Sequence, residues 1–355
     1  SVSNGQFTSI NMIVPPTCYA SMEKLNSVIP VMETSPEYLF DIPTPKNNYS
    51  SSNEYAVIIS GGADSSLNHE RYWNHCAALY KTLVNIYHYD KSRIFVVFAD
   101  GTNNGIDRHR LNNSYDSSPL DFDNDGIADI QYAATRSNIS LVFNTLQQNV
   151  TSEDNVFVFV TDHGGRRDSI ATITLWHESG LSTSEFASEI NKINHAKTIN
   201  LCLVQCCSGG FISALSGPNR VITTSCKLTE SAHSSYPYHY SNFCYHWLSA
   251  ISGLTPEGNV VNADGNNDGF VSMYEAYVYA RDRVIRNDEH AQYSSPNDPN
   301  LGAYLTLGGV LEYDLYTKDN EYDIGDEPEP HLMVGHANSP DIWVRRWQDG
   351  GESHQ

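Results

Sequence analysis

Two short stretches carry residue types suited to nucleophilic chemistry. In the first, the apolar run Ile199-Asn200-Leu201-Cys202-Leu203-Val204 stops at Gln205-Cys206-Cys207-Ser208-Gly209-Gly210, and Phe211-Ile212-Ser213-Ala214-Leu215 reads as a helix start. A thiol between a strand end and a helix start has free backbone N–H groups nearby. The positive end of the helix dipole favours thiolate there. In the second, Val156-Phe157-Val158-Phe159-Val160 ends at Thr161-Asp162-His163-Gly164-Gly165. A histidine at the C-terminal end of an apolar strand lies on the sheet edge where α/β proteins bind ligands. A base near a thiol is what nucleophilic catalysis needs.

The elements that must position these residues alternate between strand and helix. Strands are predicted at Tyr55–Gly62, Arg93–Asp100, Val156–Val160, Ile199–Val204 and Val221–Ser225. Helices are predicted at Arg71–Tyr87, Asn138–Val150, Thr183–Ile193 and Phe243–Ile251, where apolar residues recur at helical spacing. Ser182 and Glu185 form a capping-box pattern before the third of these. A hairpin is expected near Ser169–Trp176. The alternation predicts a three-layer α/β/α sandwich with a mostly parallel sheet.

An apolar strand ending in His-Gly, followed about 44 residues later by one ending in Gln-x-Cys-x-Gly, resembles the caspase-type cysteine peptidases. Thr161-Asp162-His163-Gly164 is similar to the legumain branch, over roughly Tyr55 to Leu254. The resemblance implies a caspase-like fold and an endopeptidase. On its alignment Cys207 is the nucleophile, with Cys206 in the small-residue position before it. His163 manages the proton, and the N–H groups of Cys207 and Gly164 form the oxyanion hole. Asn68 matches the asparagine that supports the catalytic histidine. Where legumains carry a specificity-pocket arginine and then histidine, this chain has Glu70 and Arg71. Gln205 stands for an acidic pocket residue, and Ser225 resembles the pocket-wall serine. Asparagine preference therefore does not carry over. Glu70 in the pocket would favour Lys or Arg in the substrate, unless it simply pairs with Arg71. Two rival readings stand beside hydrolysis: transfer of the acyl group to an amine, and a non-catalytic calcium-bound extracellular binding module.

Asp264 to Glu275 follows the calcium-loop spacing. Asp264, Asn266 and Asp268 take the first ligand positions, Gly269 the turn, Phe270 a backbone carbonyl, Ser272 the ninth position and Glu275 the bidentate acid. A second loop offers Asp121, Asp123, Asp125, Ile127 and Asp129, with Tyr132 where the closing glutamate is expected. Both are read as structural calcium sites, and no organic cofactor is expected.

The 355 residues carry a formal charge of −21, from 42 acidic and 21 basic side chains. That argues against nucleic acid and anionic membranes as partners. No run reaches the roughly 18 apolar residues of a membrane span. The seven cysteines include no CxxC pair, which argues against a zinc ribbon, and no disulfides are assigned. Calcium loops, tyrosines and many Asn and Ser suit a secreted or cell-surface protein acting on peptides. Residues 1–52 are expected to form an arm or a propeptide remnant. Residues 53–315 would be the peptidase domain carrying the 264–275 loop. Residues 316–355 read as an acidic extension leading to further extracellular modules.

Overall fold

The computed structural model describes residues 53–311, together with a short pairing of Asp314–Leu315 with Val344–Arg345. The expected N-terminal arm and most of the C-terminal extension lie outside the described residues.

Three runs of β-branched and aromatic residues form the middle of the sheet: β1 (Glu54–Ser60), β5 (Asn155–Thr161) and β9 (Thr198–Leu203). Every residue in them is buried, as expected for parallel strands covered on both faces. β2 (Ile94–Phe98) and β10 (Arg220–Thr224) flank them, and β11 (Gln292–Ser294) closes one edge. The order is β11-β10-β9-β5-β1-β2, parallel throughout except for antiparallel β11, which the sequence reading missed.

Side chains of alternate parity leave the two faces. Ala56, Ile58, Phe157, Phe159, Cys202 and Val204 pack with α1 (Glu70–Asn85) and α5 (Asn242–Ser252). Val57, Ile59, Val158, Val160, Leu201 and Leu203 pack with α2 (Arg136–Asn149) and α3 (Thr183–Asn191). This is the three-layer sandwich, and its mostly parallel sheet has the caspase-like form. Helix α3 begins with the expected capping box, Ser182 and Glu185 bonding reciprocally. Helix α6 (Met273–Arg283) repeats the device with Ser272 and Glu275.

Two local forecasts change. The hairpin expected near Ser169 is a three-stranded antiparallel sheet: β6 (Gly164–Arg167), β7 (Ile170–Leu175) and β8 (Glu178–Ser182). It starts at the residue after His163, so the end of β5 is continuous with a second sheet. The helix after the cysteines is a 3-10 turn, Ser208–Phe211, leading into α4, Ile212–Leu215. Four α-helical residues make a weak dipole, so the expected dipole activation of the thiol falls away.

Candidate active site

β5 and β9 run side by side with Val160 opposite Leu203, and the Val204 N–H donates to the Val160 carbonyl. Carried three residues further, that register sets His163 abreast of Cys206. On β5 the α1 side is faced by Phe157 and Phe159, then by Thr161, whose hydroxyl meets His75 Nδ1 of α1 at 2.7 Å. His163 follows, with its ring 5.3 Å from that of Tyr72 on α1. On β9 the same face is taken by Cys202 and Val204; beyond the strand both Cys206 and Cys207 pack with the opposite core, and the Cys206 thiol lies within electrostatic reach of the Tyr72 hydroxyl.

His163 is held in a defined tautomer. Its Nε2 lies 3.1 Å from the Leu67 carbonyl, which can only accept, so Nε2 carries the proton and Nδ1 the lone pair. Burial, and then the positive charge of Arg71, push the ring down to about 4, so at neutral pH it is an uncharged base. The preceding residue shapes the turn. Asp162 sits at φ 89, and its carboxyl accepts the His163 N–H at 2.6 Å, the Gly62 N–H at 2.7 Å and the Ser60 hydroxyl at 3.0 Å. Burial pushes that carboxyl up to about 7.

The two cysteines differ in surroundings. Cys206 is 7% exposed, and its Sγ lies 3.7 Å from the Ala232 carbonyl. Cys207 is fully buried in the left-handed region at φ 61. The Cys207 N–H donates to the Glu230 carbonyl at 2.9 Å. The oxyanion role expected of that N–H is therefore corrected: the bond to the 226–232 loop already uses it. Gly164 lies backbone to backbone on Cys206. A Cβ there would stand 2.2 Å from the Cys206 carbonyl oxygen and 2.6 Å from Gln205 Cγ. The Thr174 N–H donates to the His163 carbonyl, so ladder alternation turns the Gly164 N–H away from β7.

The remaining predicted residues split between supporting and facing roles. The Asn68 side-chain amide donates to the Asp107 carbonyl at 2.8 Å, and the Asn68 backbone carbonyl accepts the His109 N–H. Asn68 thus fixes the turn whose Leu67 carbonyl holds His163. Glu70 and Arg71 do not pair with each other. Glu70 pairs with Arg110 at 3.1 Å and accepts the Leu111 N–H at 3.1 Å. That corrects the idea that Glu70 offers a charge to a basic substrate residue. Arg71 stacks over Tyr72 at 4.5 Å and donates to its hydroxyl at 2.9 Å. Gln205 is fully buried beneath Gly164, with neither polar end of its carboxamide bonded. Ser225 is buried, with its hydroxyl 3.4 Å from that of Ser208 and 3.5 Å from the Gln205 carbonyl. Leu67, Tyr72 and Glu230 were not foreseen.

Residues 54–299 match the model of the Peptidase C13 family, well over half of the chain. The protein belongs to the Peptidase C13 family. These are cysteine peptidases of the legumain kind, so protein substrates follow from membership. No curated protein matches the chain. A solved structure of a Geobacter sulfurreducens protein is similar at 12% identity and a TM-score of 0.43, covering 73% of this chain and 100% of that one; a likeness so low carries no argument. Among the described residues no helix is long and apolar enough to cross a membrane.

The buried imidazole gives this C13 peptidase a testable pH signature. His163 binds its proton less readily when folded, about 4, than when unfolded, 6.5. The unfolded chain therefore holds more protons in that window. The contribution to stability is full above pH 6.5 and is lost as pH falls through 4. It amounts to about 3 kcal/mol. Chemical denaturation of wild type and His163→Asn across pH 4 to 7 should show this slope only in the wild type. Equal slopes would mean that the ring is not held neutral.

The two acidic loops are rolled up around oxygen donors. In the first-named loop, Asp264 accepts the N–H groups of Asp268 and Gly269, Asn266 Oδ1 accepts that of Asp268, and Asp268 Oδ1 accepts that of Phe270. Glu275 reaches back with Oε1 to the N–H groups of Gly265 and Asn266, while Oε2 serves the cap with Ser272. In the other loop, carboxylate oxygens of Asp121, Asp123 and Asp129 lie within 4.8 Å of one another. Asp121 accepts three loop N–H groups, and the Ile127 N–H is taken by Asp125. The Lys91 ammonium sits 2.5 Å from Asp123 and 2.7 Å from Asp125, where it would compete with a cation.

Proposed function

We propose that this chain is a secreted, calcium-stabilised cysteine endopeptidase in which Cys206 attacks the scissile carbonyl and His163 handles the proton. The observation that carries the reading is Tyr72 of α1: its ring lies 5.3 Å from that of His163, and its hydroxyl lies within electrostatic reach of the Cys206 thiol. His163 Nδ1 takes the thiol proton and delivers it to the leaving amine, so the C–N bond breaks as a thioester forms on Cys206. Water then cleaves the thioester, releasing the acid and restoring the thiol. The Gly164 N–H supports the reading as the donor to the developing oxyanion, since the glycine touches the Cys206 backbone.

The test is hydrolysis of a fluorogenic peptide library, with mass mapping of the cysteine first alkylated by a thiol-directed probe. Turnover with Cys206 labelled first supports the reading. Labelling of Cys207 with turnover moves the nucleophile by one residue, and no turnover with uniform labelling rejects a peptidase.

The Asp264–Glu275 donor set fits calcium, which takes six to eight oxygens from carboxylates, carbonyls and water. When bound, the ion would supply charge that holds the loop ahead of α6. Such loops suit the millimolar calcium outside cells, which is the support for secretion. Millimolar calcium should raise the unfolding free energy by about 1–3 kcal/mol over chelator, and Asp264→Ala with Glu275→Gln should remove the effect. An unchanged midpoint with and without chelator would sink the calcium reading.

A further inference from the structure

The first turn of α1 places adjacent residues about 100° apart, and here the two point to different partners. Glu70 is spent on Arg110 and the Leu111 N–H. Arg110 is shared in turn with Asp116, which also holds Arg108. Arg71 turns the other way. Its half-buried guanidinium lies over the Tyr72 ring at 4.5 Å, with one N–H donating to the Tyr72 hydroxyl. The same ring packs edge-on to His163 at 5.3 Å. Three residues along the helix, the Asn74 amide reaches the His239 carbonyl, so the 233–241 loop walls the opposite side.

Among the described residues Arg71 forms no ion pair with a carboxylate. The acids around it are committed elsewhere. Asp64 accepts from Ser66 and Leu67, and Asp162 accepts from Ser60, Gly62 and His163. The titratable groups within its electrostatic reach are His69, His163, His75, Tyr72 and Asp162, the last a buried carboxyl that forms no ion pair with it. A half-buried cation without an ion-pair partner is costly to keep. In a chain of net charge −21, a bare positive charge beside the nucleophile and base is distinctive.

We propose that Arg71 selects substrates with an acidic side chain, aspartate or glutamate, at the residue immediately before the scissile bond. That side chain is the one attached next to the carbonyl under attack, so it is the substrate group nearest His163 and hence Arg71. A guanidinium fork binds a carboxylate with two parallel hydrogen bonds. The charge of Arg71 already reaches His163, His69 and Asp162. An asparagine would offer an oxygen but no charge, and a lysine would bring repulsion. The proposal rests on the peptidase reading and names the substrate class of that same site.

The experiment compares kcat/KM for peptides identical except for Asp, Glu, Asn, Ala or Lys before the cleaved bond. Wild type is expected to favour Asp or Glu over Lys by about a hundredfold, and over Asn by about tenfold. Arg71→Met should bring the Asp-to-Asn ratio near unity. Arg71→Lys should keep the sign of the preference, and Arg71→Glu should reverse it toward Lys. Cleavage after Asn or Lys as fast as after Asp would overturn the proposal while leaving the peptidase reading intact, as would an unchanged ratio in Arg71→Met. Hydrolysis of none of the peptides, with no selective thiol labelling, would reject the peptidase reading itself and the specificity with it.

Discussion

Cys206→Ala is expected to lower peptide hydrolysis by about a thousandfold or more, and Cys207→Ala by less than about tenfold. Removing a covalent nucleophile leaves only binding and oxyanion contacts, which is why such losses are so large. The neighbouring thiol does not substitute. It is fully buried, sits in the left-handed region, and has its N–H tied to the Glu230 carbonyl. Truncating Cys207 removes one buried sulfur, costing about 1 kcal/mol of stability through a small cavity. The two variants share a backbone position within one residue, so misfolding would affect both and separate catalysis from packing. Equal losses in both, measured as kcat/KM on one peptide with matched unfolding midpoints, would contradict the assignment. Loss in Cys207→Ala alone would return the role to that residue.

Gly164→Ala is the second large effect. The new methyl would stand 2.2 Å from the Cys206 carbonyl oxygen, and the obstacle is backbone, not the end of a flexible side chain. Relief requires the His163–Gly164 and Gln205–Cys206 segments to part by nearly an ångström. Overpacking of this kind costs about 1–3 kcal/mol. A misplacement of that size between base and nucleophile costs about a hundredfold in rate. Denaturant midpoint and kcat/KM should therefore fall together. A variant with normal stability and normal turnover would show that the two strand ends are not held in contact.

The strands, their order of appearance, the capping box at Ser182 and the pairing of a histidine strand end with a cysteine strand end were all legible in the sequence. Long β-branched and aromatic runs can satisfy themselves only inside a sheet, and a cap is a contact between near neighbours. Edge strand β11 was not legible. It is three half-exposed residues whose pairing with β10 depends on where a distant loop returns.

Side-chain direction divided the site in the same way. The types at 68, 70, 71 and 205 to 207 mark a catalytic region, and the thiol, base and glycines needed for acyl chemistry can be named without coordinates. Which of Cys206 and Cys207 lies near Tyr72 depends on the turn after β9, where Cys207 takes φ 61 and strand alternation ends. Which of Glu70 and Arg71 is left to meet a substrate depended on Arg110 and Leu111, the latter 41 residues away. By itself the sequence determined the fold class and the kind of chemistry, because both follow from local pattern and residue type. Only the tertiary structure decided the partners of these residues, Arg110 for Glu70 and the Glu230 carbonyl for the Cys207 N–H, because they come from distant parts of the chain.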